Sequence, residues 1–102
     1  MQIIKQLSKM IDEEINDAEK YINCAMKYKA DRPVLAKTFY ELSLSEMDHM
    51  SKLHGAVVQV IEEYRAENGE PPEAMIAIYD YLHEQQIEKS AMVKSKQQIF
   101  NS

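Results

Sequence analysis

The sequence predicts an all-α protein built from three long helices. Its 102 residues include only two glycines and three prolines, so few residues favour turns. Glu, Lys, Ala, Leu, Met, Gln and Ile dominate the composition, as is typical of helical proteins. Apolar residues also recur at alternating steps of four and three, the period of a helix with one buried face. We therefore expect one small helical domain over residues 1–102.

The three predicted helices cover about residues 3–29, 33–66 and 72–100. Between the first two, Asp31 is placed to cap the second helix, and Pro33 falls in its first turn, where proline is tolerated. The second helix ends before Gly69, which suits a left-handed C-cap, and Pro71 and Pro72 prevent its continuation. Because the connections are short, neighbouring helices are expected to run antiparallel.

The predicted buried face of the second helix is interrupted by two ionisable residues. Its eight positions are Leu35, Phe39, Leu42, Glu46, His49, Leu53, Ala56 and Val60. Glu46 and His49 lie one helical turn apart on it, and an unpaired carboxylate among apolar side chains is energetically costly. A metal ion is a partner that binds a carboxylate and an imidazole at this spacing.

The first helix has a similar apolar face that contains one carboxylate. Its positions are Ile4, Leu7, Ile11, Glu14, Ala18, Tyr21, Ala25 and Tyr28. Glu14 lies 17 residues before Asp31 and Glu46 lies 15 residues after it, so both are about 22–25 Å from the same end of an antiparallel hairpin. Glu14, Glu46 and His49 are therefore expected to meet as metal ligands. Two simpler interpretations stay open: a solvated Glu–His pair, and a buried Glu–His hydrogen bond that fixes the helix register.

The third helix contains a second acid–histidine spacing, Asp80-x-x-His83. If this helix folds back along the second, His83 lies about 13 Å from the level of the predicted ligands. Glu88 lies within about one turn of that level and Glu84 within about two turns, and neither is assigned a role. His54 lies off the apolar face and is expected at the surface or its boundary.

The composition also excludes several classes of function. Twelve basic and seventeen acidic residues give a net charge of −5, without a Lys/Arg cluster of the kind that binds nucleic acid. The first residues lack the apolar run of a signal peptide, and no segment reaches the length of a membrane span. The single Cys24 cannot form an internal disulfide and suits a reducing compartment. The expected location is the cytoplasm.

Together the two motifs resemble those of the ferritin-like di-iron carboxylate proteins, which include ferritins, bacterioferritins, rubrerythrins and smaller half-bundle relatives. Glu14 precedes Tyr21 by seven residues, as in the first helix of bacterioferritins, and Glu46-x-x-His49 matches the motif of their second helix. The resemblance covers about residues 3–66. It implies that Glu14 and Glu46 ligate and bridge iron, that His49 is a terminal nitrogen ligand, and that these three residues are catalytic.

A complete ferritin-like bundle has two such helix pairs, whereas this chain has one. The resemblance therefore implies a homodimer or higher homo-oligomer, in which two hairpins form a four-helix bundle around two iron ions, or manganese. The implied activity is oxidation of Fe(II) by oxygen or peroxide, as in a ferroxidase. Encapsulated ferritins resemble this arrangement, although no encapsulin-targeting tail is recognisable. The alternative is a helical interaction or assembly protein with a structural or vestigial metal site.

Overall fold

Three helices make up the computed structural model, which describes residues 2–102. They are α1 (Gln2–Tyr28), α2 (Pro33–Asn68) and α3 (Glu73–Asn101). The all-α prediction is confirmed, since residues 2–102 contain three helices and no strand. The helices pack side by side into a rod of 56 × 19 × 18 Å. None of these described helices is both long and apolar enough to cross a lipid bilayer.

Hydrogen bonds and other side-chain contacts between helices define the register of the bundle. Ser43 of α2 donates its hydroxyl to the carbonyl of Ala18 in α1 over 2.7 Å. Further along α2, His49 lies against Glu14, which comes earlier in α1. Later positions of α2 thus meet earlier positions of α1, and the two helices form an antiparallel hairpin. On α3, Gln97 donates to the Ser43 hydroxyl over 2.9 Å and joins the third helix to both others.

The ends of α2 differ from the predicted caps. The N-cap residue is Arg32, not Asp31, and no side chain caps this end. Pro33 is the first residue of the helix, a position that proline tolerates because the N–H it lacks would have no partner there. The N-cap is therefore the residue immediately before Pro33. At the other end, Gly69 has the predicted positive φ of 78°, but its ψ of −164° is not that of a left-handed helical cap. Its N–H donates to the carbonyl of Arg65 over 3.0 Å.

A narrow apolar core runs along the hairpin. The buried apolar side chains are Ile11, Ile15, Ala18, Ile22 and Ala25 of α1, Ala36, Met47 and Val57 of α2, and Val93 of α3. Most of them belong to α1 and α2, and the shared burial of apolar area stabilises the hairpin. The packed hairpin therefore positions Glu14, Glu46 and His49 relative to one another.

The third helix buries polar residues and exposes apolar ones. Gln86 and Gln97 are 8% and 7% exposed, whereas Ile78, Tyr81 and Ile99 are 57–63% exposed. The Gln86 amide donates to the hydroxyl and carbonyl of Ser8 and to the carboxylate of Asp12. These bonds satisfy the buried amide groups and define where α3 lies on the hairpin.

The apolar face predicted for α2 is only partly buried within one chain. Leu35 and Leu42 are 39% and 40% exposed, and His49 is exposed as well. The prediction of burial is wrong for these three positions, because α3 packs on a different side of the hairpin. The face of α2 that the chain buries completely instead carries Ala36, Ser43, Met47 and Val57. We call the uncovered side of α1 and α2, on which Glu14, Leu35, Leu42, Glu46 and His49 lie, the open face.

Candidate metal centre

The antiparallel hairpin brings Glu14, Glu46 and His49 together in the middle of the open face. His49 Nδ1 lies 3.5 Å from Glu14 Oε2 and 3.8 Å from Glu46 Oε2. One potential ligand atom from each residue lies within 4.8 Å of the other two. Because Glu46 and His49 are one turn apart on a continuous helix, their mutual position is local. The position of Glu14 depends on the packing of α1 against α2.

The centre is half-buried on the carboxylate side and open on the histidine side. The Glu46 and Glu14 side chains are 18% and 26% exposed, whereas that of His49 is 53% exposed. His49, which lies on the predicted buried face of α2, is therefore not buried within a single chain. The Glu14 atom Oε2 is buried and has no hydrogen-bond partner. A buried acceptor without a partner is energetically costly, and a bound cation would remove that cost.

Crowding of the two carboxylates raises the pKa of Glu46 from 4.5 to about 7. The largest cause is a hydrogen bond with Glu14, followed by burial and by repulsion from the Glu14 charge. His49 acts in the opposite direction, and Asp17 adds a small further repulsion. Near neutral pH, the Glu46 carboxyl is therefore partly protonated. A cation between the two carboxylates would take the place of that proton.

The donor set suits one divalent cation of the first transition row. Carboxylate oxygen and imidazole nitrogen ligands lie about 2.0–2.2 Å from such an ion, so neighbouring ligand atoms are about 3 Å apart and opposed ones about 4 Å. The separations of 3.5 and 3.8 Å around His49 Nδ1 fall between these limits. Two oxygens and one nitrogen favour iron or manganese over a structural zinc site. Three ligands also leave coordination positions free.

The residues of α3 that the sequence placed near this level do not reach the centre. Glu84 and Glu88 are exposed, and neither belongs to the group of potential ligands. His83, which the sequence placed too far along the axis, contacts His54 instead. This contact was not predicted, although the sequence contains a signal for it. If α3 folds back along α2 at Gly69, residue 92 lies level with residue 46, and residue 84 lies level with residue 54. His83 is therefore expected close to the level of His54.

An aromatic cluster lies between the centre and the α1–α2 turn. The ring of Phe39 stacks against those of Tyr21 and Tyr28, with centroids 6.3 Å away in each case. Tyr21, seven residues after Glu14, therefore packs as an aromatic filler at the hairpin crossing. Such stacking adds to the apolar contacts that hold the two helices at this level.

Comparison with known proteins gives no relative for this chain. No protein-family model matches it, and no curated protein or solved structure is significantly similar to it. The function of the centre is therefore inferred from its own residues, their geometry and their electrostatics.

Proposed function

We propose that the chain is a ferritin-like di-iron carboxylate protein that oxidises Fe(II) with oxygen or peroxide. The observation that carries the proposal is the convergence of Glu14, Glu46 and His49 within 4.8 Å, with one buried carboxylate oxygen left without a partner. A solvated surface pair accounts poorly for that buried oxygen. A Glu–His hydrogen bond that fixes the register accounts poorly for a separation of 3.5 Å or more.

The centre is completed by a second copy of the chain. One hairpin supplies three ligands, and its open face leaves Leu35 and Leu42 partly exposed beside them. A two-fold axis through this face would place a second Glu14, Glu46 and His49 opposite the first set. Four carboxylates then balance the charge of two Fe(II) ions, which favours a pair of ions between the hairpins over a single one. The same contact would cover the apolar side chains of the open face.

Each ligand has a distinct role in the proposed reaction. Bound iron would supply the redox chemistry, in which two Fe(II) ions would lose one electron each and oxygen or peroxide would accept both electrons with two protons. Anionic oxygen ligands favour the more highly charged ferric ion, so Glu14 and Glu46 lower the cost of oxidation. The Glu46 carboxyl would have to lose its proton before both of its oxygens could bind an ion. His49, at the exposed edge of the centre, is the terminal nitrogen ligand.

Anaerobic loading with Fe(II) followed by exposure to air tests the proposal. The protein should bind about one iron per chain, consume oxygen and yield Fe(III), as measured by elemental analysis, an oxygen electrode and ferric absorbance. Glu46→Ala and His49→Ala should each abolish iron uptake while circular dichroism stays helical. Asp48→Ala is the matched control, because Asp48 is exposed and pairs with Lys52 instead. Absence of iron binding by the unaltered chain would refute the proposal.

The second candidate is a helical assembly protein whose metal site is structural or vestigial. The apolar residues that α3 exposes, among them Ile78, Tyr81 and Ile99, favour this alternative because exposed apolar side chains often mark contact surfaces. Elemental analysis separates the two candidates: a vestigial site would hold essentially no metal. If metal is bound and chelation lowers the melting temperature without any Fe(II) oxidation, the metal is structural.

A further inference from the structure

A pair of histidines joins α2 to α3 outside the candidate metal centre. The Nε2 atoms of His54 and His83 are 3.0 Å apart, and their rings lie within 16° of parallel, with centroids 4.9 Å apart. Both residues are half-buried, and the ring of Tyr79 lies 5.7 Å from that of His83. The two positions are 29 residues apart in the chain, so it is the packing of α3 on α2 that makes them neighbours.

We infer that His54 and His83 form a second metal site, which takes a borderline divalent ion of the Zn²⁺ type. An imidazole nitrogen lies about 2.0–2.1 Å from such an ion, so two adjacent nitrogen ligands are about 2.9–3.4 Å apart. The observed 3.0 Å between the Nε2 atoms lies in this range. Without metal, one ring donates an N–H to the lone pair of the other. Rotation about the soft terminal torsion of each side chain turns both lone pairs toward one ion.

The surroundings of the pair leave space for the rest of a coordination shell. A cavity of about 350 Å³ opens beside the two rings, and its lining includes the neutral polar side chains of Ser51 and Gln86. Water molecules in this space can complete the coordination of the ion. Lys94 also lines the cavity, but it stands 11 residues after His83, about 16 Å further along α3.

The two sites differ in chemistry and so in the metals that they select. The histidine pair offers nitrogen ligands alone, which suit Zn²⁺, Cu²⁺ and Ni²⁺, whereas the carboxylates of Glu14 and Glu46 suit iron and manganese. Mg²⁺ and Ca²⁺ prefer oxygen and should not bind the pair. An ion on both histidines would also link α2 to α3, whose buried residues are mostly polar. Binding to the folded state alone raises stability with metal concentration.

Zn²⁺ titration of the unaltered chain and of its histidine variants tests the second site. Calorimetry should resolve a binding class that His54→Gln and His83→Gln each weaken by roughly tenfold or more, since even indirect support of a ligand contributes that much. His49→Gln, the matched control, should keep this class because His49 belongs to the other centre. Zn²⁺ should raise the melting temperature of His49→Gln but not that of the double variant His49→Gln/His83→Gln, which lacks a ligand of each site.

Nuclear magnetic resonance tests the second site on the unaltered chain, so the result does not depend on whether the variants fold. With ¹⁵N-labelled histidines, saturating Zn²⁺ should move the Nε2 resonances of both His54 and His83 to metal-bound values. If these two resonances stay in place while that of His49 moves, the pair is only a hydrogen bond between helices and the inference is overturned. Failure of iron binding at Glu14, Glu46 and His49 would leave the Zn²⁺ result unaffected, because the sites share no residue.

Discussion

At the scale of single residues, the Glu46 carboxyl is in an environment that opposes its ionisation. Its pKa is raised to about 7 by the hydrogen bond with Glu14, by burial and by repulsion from the Glu14 charge. In the unfolded chain the same group has its ordinary pKa near 4.5. Between these two values the folded chain binds more protons than the unfolded chain. The free energy of unfolding therefore falls as the pH rises through this window.

Replacement of Glu46 by Gln should stabilise the metal-free protein at pH 8 but not at pH 4.5. Glutamine keeps the shape and the hydrogen-bonding capacity of the protonated carboxyl and cannot acquire its charge. The expected gain at pH 8 is about 1–3 kcal/mol, since each unit of pKa shift corresponds to about 1.4 kcal/mol. Urea unfolding of both proteins at the two pH values measures it. Glu41→Gln, at an exposed position of α2, is the control, and an equal effect at both pH values would contradict the prediction.

The two glycines of the chain differ in backbone conformation: one has a positive φ and the other is helical. Gly69 ends α2 with φ 78° and ψ −164°, a combination that other residues adopt only at a cost of about 1–3 kcal/mol. Gly55 lies inside α2, and a Cβ added there meets no atom within 4 Å. The backbone at Gly55 therefore does not require glycine. Alanine at the two sites should therefore have effects of opposite sign.

Gly69→Ala should destabilise the protein, and Gly55→Ala should stabilise it by about 0.5–1 kcal/mol, because alanine loses less backbone entropy in a helix. Thermal unfolding followed by circular dichroism compares both variants with the unaltered chain. Each variant serves as the control for the other, since the change in side chain is identical. Two shifts of the same sign would show that the conformation of Gly69 does not determine the outcome.

At the scale of helices, the position of α3 depends on buried hydrogen bonds more than on apolar burial. The Gln97 amide donates to the Ser43 hydroxyl, which donates in turn to the carbonyl of Ala18. This chain of bonds links all three helices at one level. Removal of one member leaves a buried polar group without its partner, which costs about 1–3 kcal/mol.

Ser43→Ala and Gln97→Ala should be strongly non-additive. Each change alone breaks the bond between the two side chains, so the double variant should lose less stability than the two single losses combined. The expected coupling is about 0.5–3 kcal/mol in a double-mutant cycle measured by urea unfolding. Thr38→Ala paired with Gln97→Ala is the control cycle, because Thr38 is exposed and bonds only within α2. Additive losses in the test cycle would mean that the bond does not position α3.

At the scale of the whole molecule, a single chain leaves its candidate metal centre open on one side. Leu42 lies on the open face and Leu44 on another side of α2, yet the two are 40% and 41% exposed. Leu42 and Leu44 therefore lie on different sides of α2 but are almost equally exposed. This pair allows the proposed dimer to be tested without altering a ligand.

Leu42→Lys should yield a monomer with weakened iron binding, whereas Leu44→Lys should keep the dimer. A lysine at position 42 places two positive charges in an apolar contact close to the proposed iron ions, and burial of such charges is costly. Sedimentation equilibrium gives the mass of each variant, and elemental analysis gives its iron content. Equal masses for the two variants would exclude the open face as the dimer contact.

Local sequence patterns were enough to predict the helices and the three candidate ligands that share one hairpin. Composition and the turn residues near Pro33 and Gly69 predict all three helices, and the alternating steps of four and three mark the apolar faces of α1 and α2, because helix periodicity is local. Glu46 and His49 lie one turn apart by helix geometry alone, and the short turn before Pro33 brings Glu14 to their level. For these features, short-range geometry was sufficient.

The side of the hairpin that α3 covers follows from long-range packing and could not be predicted from the sequence. Both α1 and α2 have apolar residues on more than one side, so periodicity could not separate the face buried by α3 from the open face. The placement of α3 depends on the buried hydrogen bonds of Gln86 and Gln97 and on the contact between His54 and His83. These are long-range pairings of polar residues, which a pattern of hydrophobic spacing does not encode. The partial exposure of His49 and the pairing of His54 with His83 both follow from that choice.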